Sequence, residues 1–306
     1  VINIENLDQV LAATEKTVRD LRPDTEKTIV WAGKPGTKTT VSIVYVHGFS
    51  ASRNEIRPVP DLVAKALGAN LFFTRLAGHG QDGQALADVT YQQWLADTIA
   101  AINIGHTLGD RVILMGCSTG CTLLHIALGM GYEAAAVIYV APNFGLKSRL
   151  KASVLQLPGA YFWVPILFGK ERSFEPLNAD HAACWTVRYP TIAAGKMKYV
   201  INAARNVHHA SITVPALFWF CDQDQTVSAY WVRKISARMG GHVSIHNPVL
   251  TSEDDPGQHV VLGDICSPSQ TTSGVTKMLQ WLHQHADIGA PSKCKSSLQD
   301  QESIGH

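Results

Sequence analysis

The apolar run Arg111 to Met115 passes into Gly116-Cys117-Ser118-Thr119-Gly120 and then at once into Leu123, Leu124, Ala127 and Leu128 at helical spacing. No loop separates the two patterns, so the chain goes from strand to helix in one sharp turn. Such a turn brings backbone close to its neighbours, and Gly116 and Gly120 supply positions with no Cβ to clash. It lifts the Ser118 hydroxyl above a strand end and aims the first N–H groups of the following helix at the same place. A buried strand that ends in a raised hydroxyl restricts the fold to layered α/β architectures.

The rest of the chain fits that restriction. Apolar runs at Val41 to Val46, Asn70 to Thr74, Ala134 to Val140, Val214 to Cys221 and His242 to Ile245 read as strands. Helical patterns at Pro58 to Leu67, Tyr91 to His106, Val227 to Met239 and Ser269 to His283 fall between or after them. Strand–helix–strand alternation with continuous rather than alternating apolar strands predicts a mostly parallel central sheet with helices on both faces. Thr28 to Trp31, followed by the turn Gly33-Lys34-Pro35-Gly36, predicts a hairpin feeding the strand Val41 to Val46. From 143 to 212 the rhythm breaks, with four prolines and the aromatic Tyr161-Phe162-Trp163, which predicts a mostly helical insertion over the carboxyl edge of the sheet. The expected division is a core of 1–142 and 213–290, a cap at 143–212 and a polar tail at 291–306.

Composition removes other classes. A chain of 306 residues with 46% hydrophobic and 17% charged residues is neither disordered nor a small disulfide-stapled module. The balance of 26 basic against 25 acidic residues does not favour nucleic acid as a partner. The longest nearly apolar run, Val154 to Gly169, is cut by Pro158 and Pro165 and is too short for an integral membrane segment. Gly33 to Thr39 has the letters of a phosphate loop but lacks its Gly-Lys-Ser/Thr ending and precedes a strand. Six cysteines are too few for a disulfide framework and read mostly as buried thiols. The compartment stays open between cytoplasm and an exported form with its signal removed, the cytoplasm being slightly favoured.

A serine hydroxyl attacks poorly unless a base accepts its proton, and the base needs a carboxylate to fix its tautomer. Downstream, the strand Val214 to Cys221 ends in Asp222-Gln223-Asp224-Gln225, which leaves two candidate acids. Among the thirteen histidines, His259 has the right placement, in a loop after the last strand. His106, His125 and His181 read as surface or packing residues. His208-His209 and the pair His242 and His246 lack the Cys or acidic partners of a metal site, so neither metal nor cofactor is expected. A developing oxyanion needs two donors already aimed at it. Thr119, following the serine, offers one backbone N–H, and Phe49 of His47-Gly48-Phe49 offers the second.

These motifs resemble the α/β-hydrolase superfamily, and within it the capped serine esterases and monoacylglycerol-lipase-like carboxylesterases. The resemblance covers roughly residues 28 to 286. It rests on His47-Gly48-Phe49 as the oxyanion loop, Gly78-His79-Gly80, the Ser118 turn, Asp224-Gln225-Thr226-Val227 for the acid and His259 for the base. It favours Asp224 over Asp222, which is expected to bond backbone N–H groups of its own turn. Two positions depart from the pattern: Cys221 and Gln258 stand where the family usually has glycine or another small residue. The resemblance implies a cofactor-free serine carboxylesterase with the triad Ser118, Asp224 and His259, and the apolar insertion, with no strong basic cluster near the expected mouth, points to neutral short- to medium-chain acyl esters or lipid-like molecules as substrates. The apolar stretch Val154 to Phe168 is expected to wall an acyl chain, to meet a lipid surface transiently or to pack on the core. A monoacylglycerol-type lipase, a carbon–carbon bond hydrolase and a non-enzymatic binding protein are the alternative readings.

Overall fold

The computed structural model describes residues 3–148, 166, 169–286 and 288. Its strands are β1 (Thr28–Val30), β2 (Thr39–Val46), β3 (Asn70–Phe73), β4 (Gly109–Cys117), β5 (Ala136–Val140), β6 (Glu171–Ser173), β7 (Arg188–Pro190), β8 (Ala216–Trp219) and β9 (Val243–His246). Its helices are α1 (Leu7–Glu15), α2 (Val59–Leu67), α3 (Gly83–Asp88), α4 (Tyr91–Leu108), α5 (Thr119–Gly129), α6 (Ala179–Cys184), α7 (Thr191–Gly195), α8 (Met197–Arg205), α9 (Ala229–Ser236) and α10 (Thr271–His285).

Seven strands form one sheet in the order β1-β3-β2-β4-β5-β8-β9. All neighbours run parallel except β1 on β3. The continuous apolar runs are explained by burial on both faces. Ile43 and Tyr45 of β2 belong to a core shared with Val59 and Val63 of α2 and Met278 and Leu282 of α10. Val44 and Val46 belong to the opposite core, with Trp94 and Ile102 of α4 and Val232 and Ile235 of α9. Each such side chain contributes about 1.5–3 kcal/mol through burial. The expected hairpin between β1 and β2 does not form. Both edges of β2 are taken, by β3 and β4, and β1 instead lies antiparallel on the outer edge of β3 with Ile29 opposite Phe72.

Between β5 and β8 the described residues build a cap-like region from α6, α7, α8 and the antiparallel pair β6–β7. That pair was not expected, because strands of three residues carry no periodic signal. Except for Ile166, the stretch Val154 to Phe168 lies outside the described residues, as do Cys294 and the tail 291–306. The cap-like region is tied to the core by polar contacts. The Thr186 N–H donates to the Ser50 carbonyl at 2.7 Å. Arg22 donates to the Trp185 carbonyl at 2.7 Å and to Thr186 Oγ1 at 3.1 Å. Lys196, just before α8, places its ammonium on the carbonyls of Leu86, Ala87 and Val89, around the C-terminus of α3. Carbonyls at a helix end have no partner within the helix, so a cation is well placed there.

The N-terminal helix is held from below. Glu15, at the end of α1, accepts Arg75 Nε at 2.7 Å and Nη2 at 2.9 Å, and both side chains are buried. Glu15 also accepts the Lys27 N–H at 3.0 Å, and Arg75 reaches the His79 carbonyl at 3.4 Å. The five described cysteines are buried and free. Among the described residues no helix is long and apolar enough to cross a membrane.

Candidate active site

The strand-to-helix turn forms as the glycine spacing requires. Ser118 sits alone between β4 and α5 at φ +50° and ψ −114°. A non-glycine residue in that region is strained by about 1–3 kcal/mol, and the surroundings must hold it there. The Ser118 N–H donates to the Val140 carbonyl at 2.9 Å, and the Ser118 carbonyl accepts the N–H groups of Cys121 and Asn143 at 3.1 Å each. A Cβ on Gly120 would run into the Val46 carbonyl, and one on Gly116 would lie 2.9 Å from the Cys121 nitrogen.

Strand register brings the other candidates to the same edge. Val46 of β2 stands opposite Gly116, Cys117 opposite Val140, and Val140 opposite Trp219, so the loops leaving β2, β4, β5 and β8 emerge side by side. The β8 loop delivers Asp224, whose Oδ1 accepts the N–H groups of Thr226 at 2.6 Å and Val227 at 2.8 Å. Its Oδ2 lies 2.7 Å from His259 Nδ1, and His259 Nε2 lies 3.0 Å from Ser118 Oγ. Asp222 is elsewhere. It forms an ion pair with Arg233 at 2.6 Å and accepts Asn247 Nδ2 at 2.9 Å, rather than bonding to its own turn as expected. Arg233 on α9 lies within reach and offers a charge, which a backbone amide cannot match.

The surroundings set the imidazole's proton preference. Burial opposes a charged ring, but the charge and hydrogen bond of Asp224 outweigh it, with Asp255 and Glu55 adding to the effect, so His259 titrates above its ordinary 6.5. An acceptor at Nδ1 puts the ring proton there and leaves the Nε2 lone pair facing the Ser118 hydroxyl. Asp255 shapes the histidine loop by accepting the N–H groups of Gly257, His259 and Val260 at 2.9 Å each. The two positions that depart from the expected pattern touch each other. Cys221 Sγ donates to Gln258 Oε1 at 2.9 Å, and Gln258 adopts φ +54°, a conformation that usually selects glycine. Beside them the Gln225 N–H donates to the Gly257 carbonyl at 2.9 Å, so the acid loop and the base loop are joined twice besides the bond from His259 to Asp224.

The loop after β2 is equally determined. Burial pushes His47 down to about 4, so the ring is neutral; its Nε2 accepts the Leu76 N–H at 3.1 Å and its Nδ1–H donates to the Gly48 carbonyl at 2.8 Å. The Gly48 N–H donates to Glu55 Oε2 at 2.7 Å. Among the described residues neither the Phe49 nor the Thr119 N–H donates a hydrogen bond. Both belong to segments that flank Ser118, since a Cβ on Gly48 would lie 3.1 Å from Ser118 Cβ. The Phe49 ring packs edge-on against His79, Trp94 and Tyr189.

Three neighbours of the site were not singled out from sequence. Asp255 had a signal, an acid opening the turn Asp-Pro-Gly four residues before His259. Glu55 had none, because an acid in a polar loop ordinarily faces water. Met197 comes from α8, where its Sδ lies 3.7 Å from Thr119 Oγ1 and 3.6 Å from Asn143 Nδ2, and a lone methionine in a helix carries no positional cue. Among the described residues no three His, Cys, Asp or Glu side chains gather as they would around a metal ion. His209 pairs with His125, His242 stacks on His285, and His246 packs against Trp219.

No curated protein matches the chain by sequence. Among solved structures, one of the metagenome-derived lipolytic enzymes LipS and LipT superposes with a TM-score of 0.70 at 18% identity, over 87% of this chain and 100% of its own. A monoacylglycerol lipase from Paleococcus ferrophilus gives 0.59 at 12% identity, covering 85% of this chain and 98% of that one. Est1E from Butyrivibrio proteoclasticus, solved with ferulic acid bound, gives 0.56 at 15% identity over 85% and 94%. At such identities the likeness speaks for the fold. The profile of the Alpha/beta hydrolase family matches residues 43–263, from the β2 run through the turn at Ser118 to the loop of His259. With that match over most of its length, joined to the sheet order and the strand-to-helix turn, this chain belongs to the alpha/beta hydrolase family.

Proposed function

We propose that the protein is a serine carboxylesterase that cleaves neutral esters with short to medium acyl groups through an acyl-enzyme intermediate. The observation that carries this reading is the unbroken chain from Ser118 Oγ to His259 Nε2 at 3.0 Å and from His259 Nδ1 to Asp224 Oδ2 at 2.7 Å. His259 accepts the Ser118 proton as Oγ attacks the ester carbonyl, and Asp224 stabilises the imidazolium that forms. The Phe49 and Thr119 N–H groups receive the oxyanion of the tetrahedral intermediate. His259 then returns its proton to the departing alkoxide. In the second half, water loses a proton to His259 and attacks the acyl carbonyl, which releases the acid and restores the serine. Each step conserves the single proton shuttled by the ring and calls for no cofactor.

Support for the substrate class comes from two of the similar solved structures, described as lipolytic enzymes and a monoacylglycerol lipase. Met197 of the cap-like region stands against Thr119, where an acyl group would lie, and a methionine there favours an apolar substituent. The test is labelling by a fluorophosphonate followed by a panel of nitrophenyl esters graded from acetate to decanoate. Labelling that vanishes in Ser118→Ala, with turnover highest on the shorter esters, is expected. An unlabelled, inactive parent would place the chain among binding proteins on this fold, and turnover confined to the longest esters would make it a lipase.

A further inference from the structure

A carboxyl group that takes no part in the proton shuttle holds the glycine beside the nucleophile. Glu55, in the loop between β2 and α2, is 3% exposed. Its Oε2 accepts the Gly48 N–H at 2.7 Å and the Tyr45 hydroxyl at 2.9 Å. A Cβ built on Gly48 would lie 2.6 Å from Glu55 Oε1 and 3.1 Å from Ser118 Cβ, so the carboxyl and the serine crowd the same glycine from two sides.

This glycine matters because its own carbonyl carbon is bonded to the Phe49 nitrogen. The peptide joining Gly48 to Phe49 carries the Phe49 N–H at one end and the Gly48 carbonyl at the other. That carbonyl accepts His47 Nδ1–H at 2.8 Å and the Ala51 N–H at 3.3 Å, and the preceding N–H is held by Glu55. The carbonyl bonds hold this plane and Glu55 holds the one before it, so rotation about the backbone bonds of Gly48 is restrained from both sides. Without Glu55 only the carbonyl side would be fixed, and a glycine, with its broad freedom of φ, would let the plane turn. A buried acceptor for that N–H is also obligatory, since a buried unpaired amide is strongly disfavoured.

We propose that Glu55 is a positioning residue for ester hydrolysis: its Oε2 holds the Gly48 amide and the Tyr45 hydroxyl, and so keeps the Phe49 N–H aimed at the oxyanion. This rests on the reading of Ser118 as an esterase nucleophile. Burial raises the proton affinity of Glu55, against the opposing hydrogen bonds from Gly48 and Tyr45.

The experiment compares Glu55→Gln, Glu55→Asp and Glu55→Leu with the parent on nitrophenyl butyrate, with thermal midpoints and inhibition by a trifluoromethyl ketone that forms the tetrahedral adduct. Glu55→Leu, which removes the acceptor, is expected to lower kcat by about 100-fold with KM nearly unchanged, the scale of losing one oxyanion donor. Its affinity for the ketone should fall in parallel. Glu55→Asp withdraws the acceptor by one methylene and should lower kcat by about tenfold, which keeps the test open if the leucine variant does not fold. Glu55→Gln, whose amide oxygen can accept both hydrogen bonds, should recover most of the activity. Parental kcat in Glu55→Asp, or a loss carried by KM or by the thermal midpoint alone, overturns the inference and leaves Glu55 a packing residue. A parent that takes no fluorophosphonate and cleaves no ester brings down the esterase reading, and the inference with it. An active parent with unimpaired variants brings down the inference alone.

Discussion

Two histidines, the partly exposed His259 and the buried His125, make hydrogen bonds at both ring nitrogens, and their electrostatics run in opposite directions. His259 stands between Ser118 and Asp224 and titrates above 6.5, because a carboxylate overcomes the burial that opposes its charge. His125, on α5 behind the same sheet edge, lies 2.9 Å from His209 Nδ1 and 3.3 Å from the Tyr139 hydroxyl. With burial dominant and a second imidazole rather than a carboxylate beside it, His125 is pushed down to about 3. His259 is placed by a loop that Asp255 ties together, and His125 by α5. What separates a proton acceptor from a packing residue is one carboxylate oxygen.

The harshest way to break the contrast is to remove that oxygen. Asp224→Asn should cut kcat by roughly 10³- to 10⁴-fold, in line with the equivalent change in a serine protease, where the imidazole tautomer is lost. Whatever activity remains should rise with pH through a lower midpoint than the parental one, which is expected above 6.5 because His259 must be neutral to act. A pH profile of kcat/KM on both proteins checks this, and an unchanged midpoint would count against the assignment of Asp224.

The next effect concerns stability. A histidine whose affinity for protons falls on folding contributes stability that is present above 6.5 and is lost as the pH drops toward about 3. His125→Phe should therefore flatten the fall of the thermal midpoint between those values. At neutral pH it should destabilise by about 1–3 kcal/mol, because the Tyr139 hydroxyl and His209 lose their partner. Turnover should stay close to parental. A midpoint that falls just as steeply in the variant would show that acid sensitivity resides elsewhere.

The smallest effect distinguishes the two aspartates after β8. Asp222 meets Arg233 with both side chains well exposed, so Asp222→Asn should change stability by no more than about 1 kcal/mol and leave kcat near parental. Chemical denaturation and initial rates measure both quantities. A large loss of kcat would move the acid two residues upstream.

Much of this arrangement could be read in the sequence. The runs Val41 to Val46 and Ala134 to Val140 are apolar on both faces, and a strand with no polar side has few places to go except the middle of a parallel sheet. Ser118 was marked by the collision of a strand period with a helix period, and His259 by chain order. The misses have a common physical cause, which is that pairing partners and long-range hydrogen bonds leave no local trace. β1 chose β3 because the edges of β2 were occupied, a fact about other strands. Asp222 chose Arg233, eleven residues on, over its own turn. Glu55 and Met197 gained their importance from what folds onto them. The contact between Cys221 and Gln258 explains how two departures from the expected pattern coexist, each being the other's partner.

The ion pair beneath the site bears on how far the amino end can be shortened. Deleting α1 through Glu15 would leave the Arg75 guanidinium buried without its carboxylate, a loss of about 3–5 kcal/mol in comparable pairs. Arg75 also reaches the carbonyl of His79, whose ring packs on Phe49. Trimming a helix remote from Ser118 in sequence would thus be felt at the loop proposed to receive the oxyanion. A protease that nicks the chain after Glu15 but leaves the helix docked should spare activity, whereas a recombinant form beginning at residue 16 should lose it together with its heat tolerance.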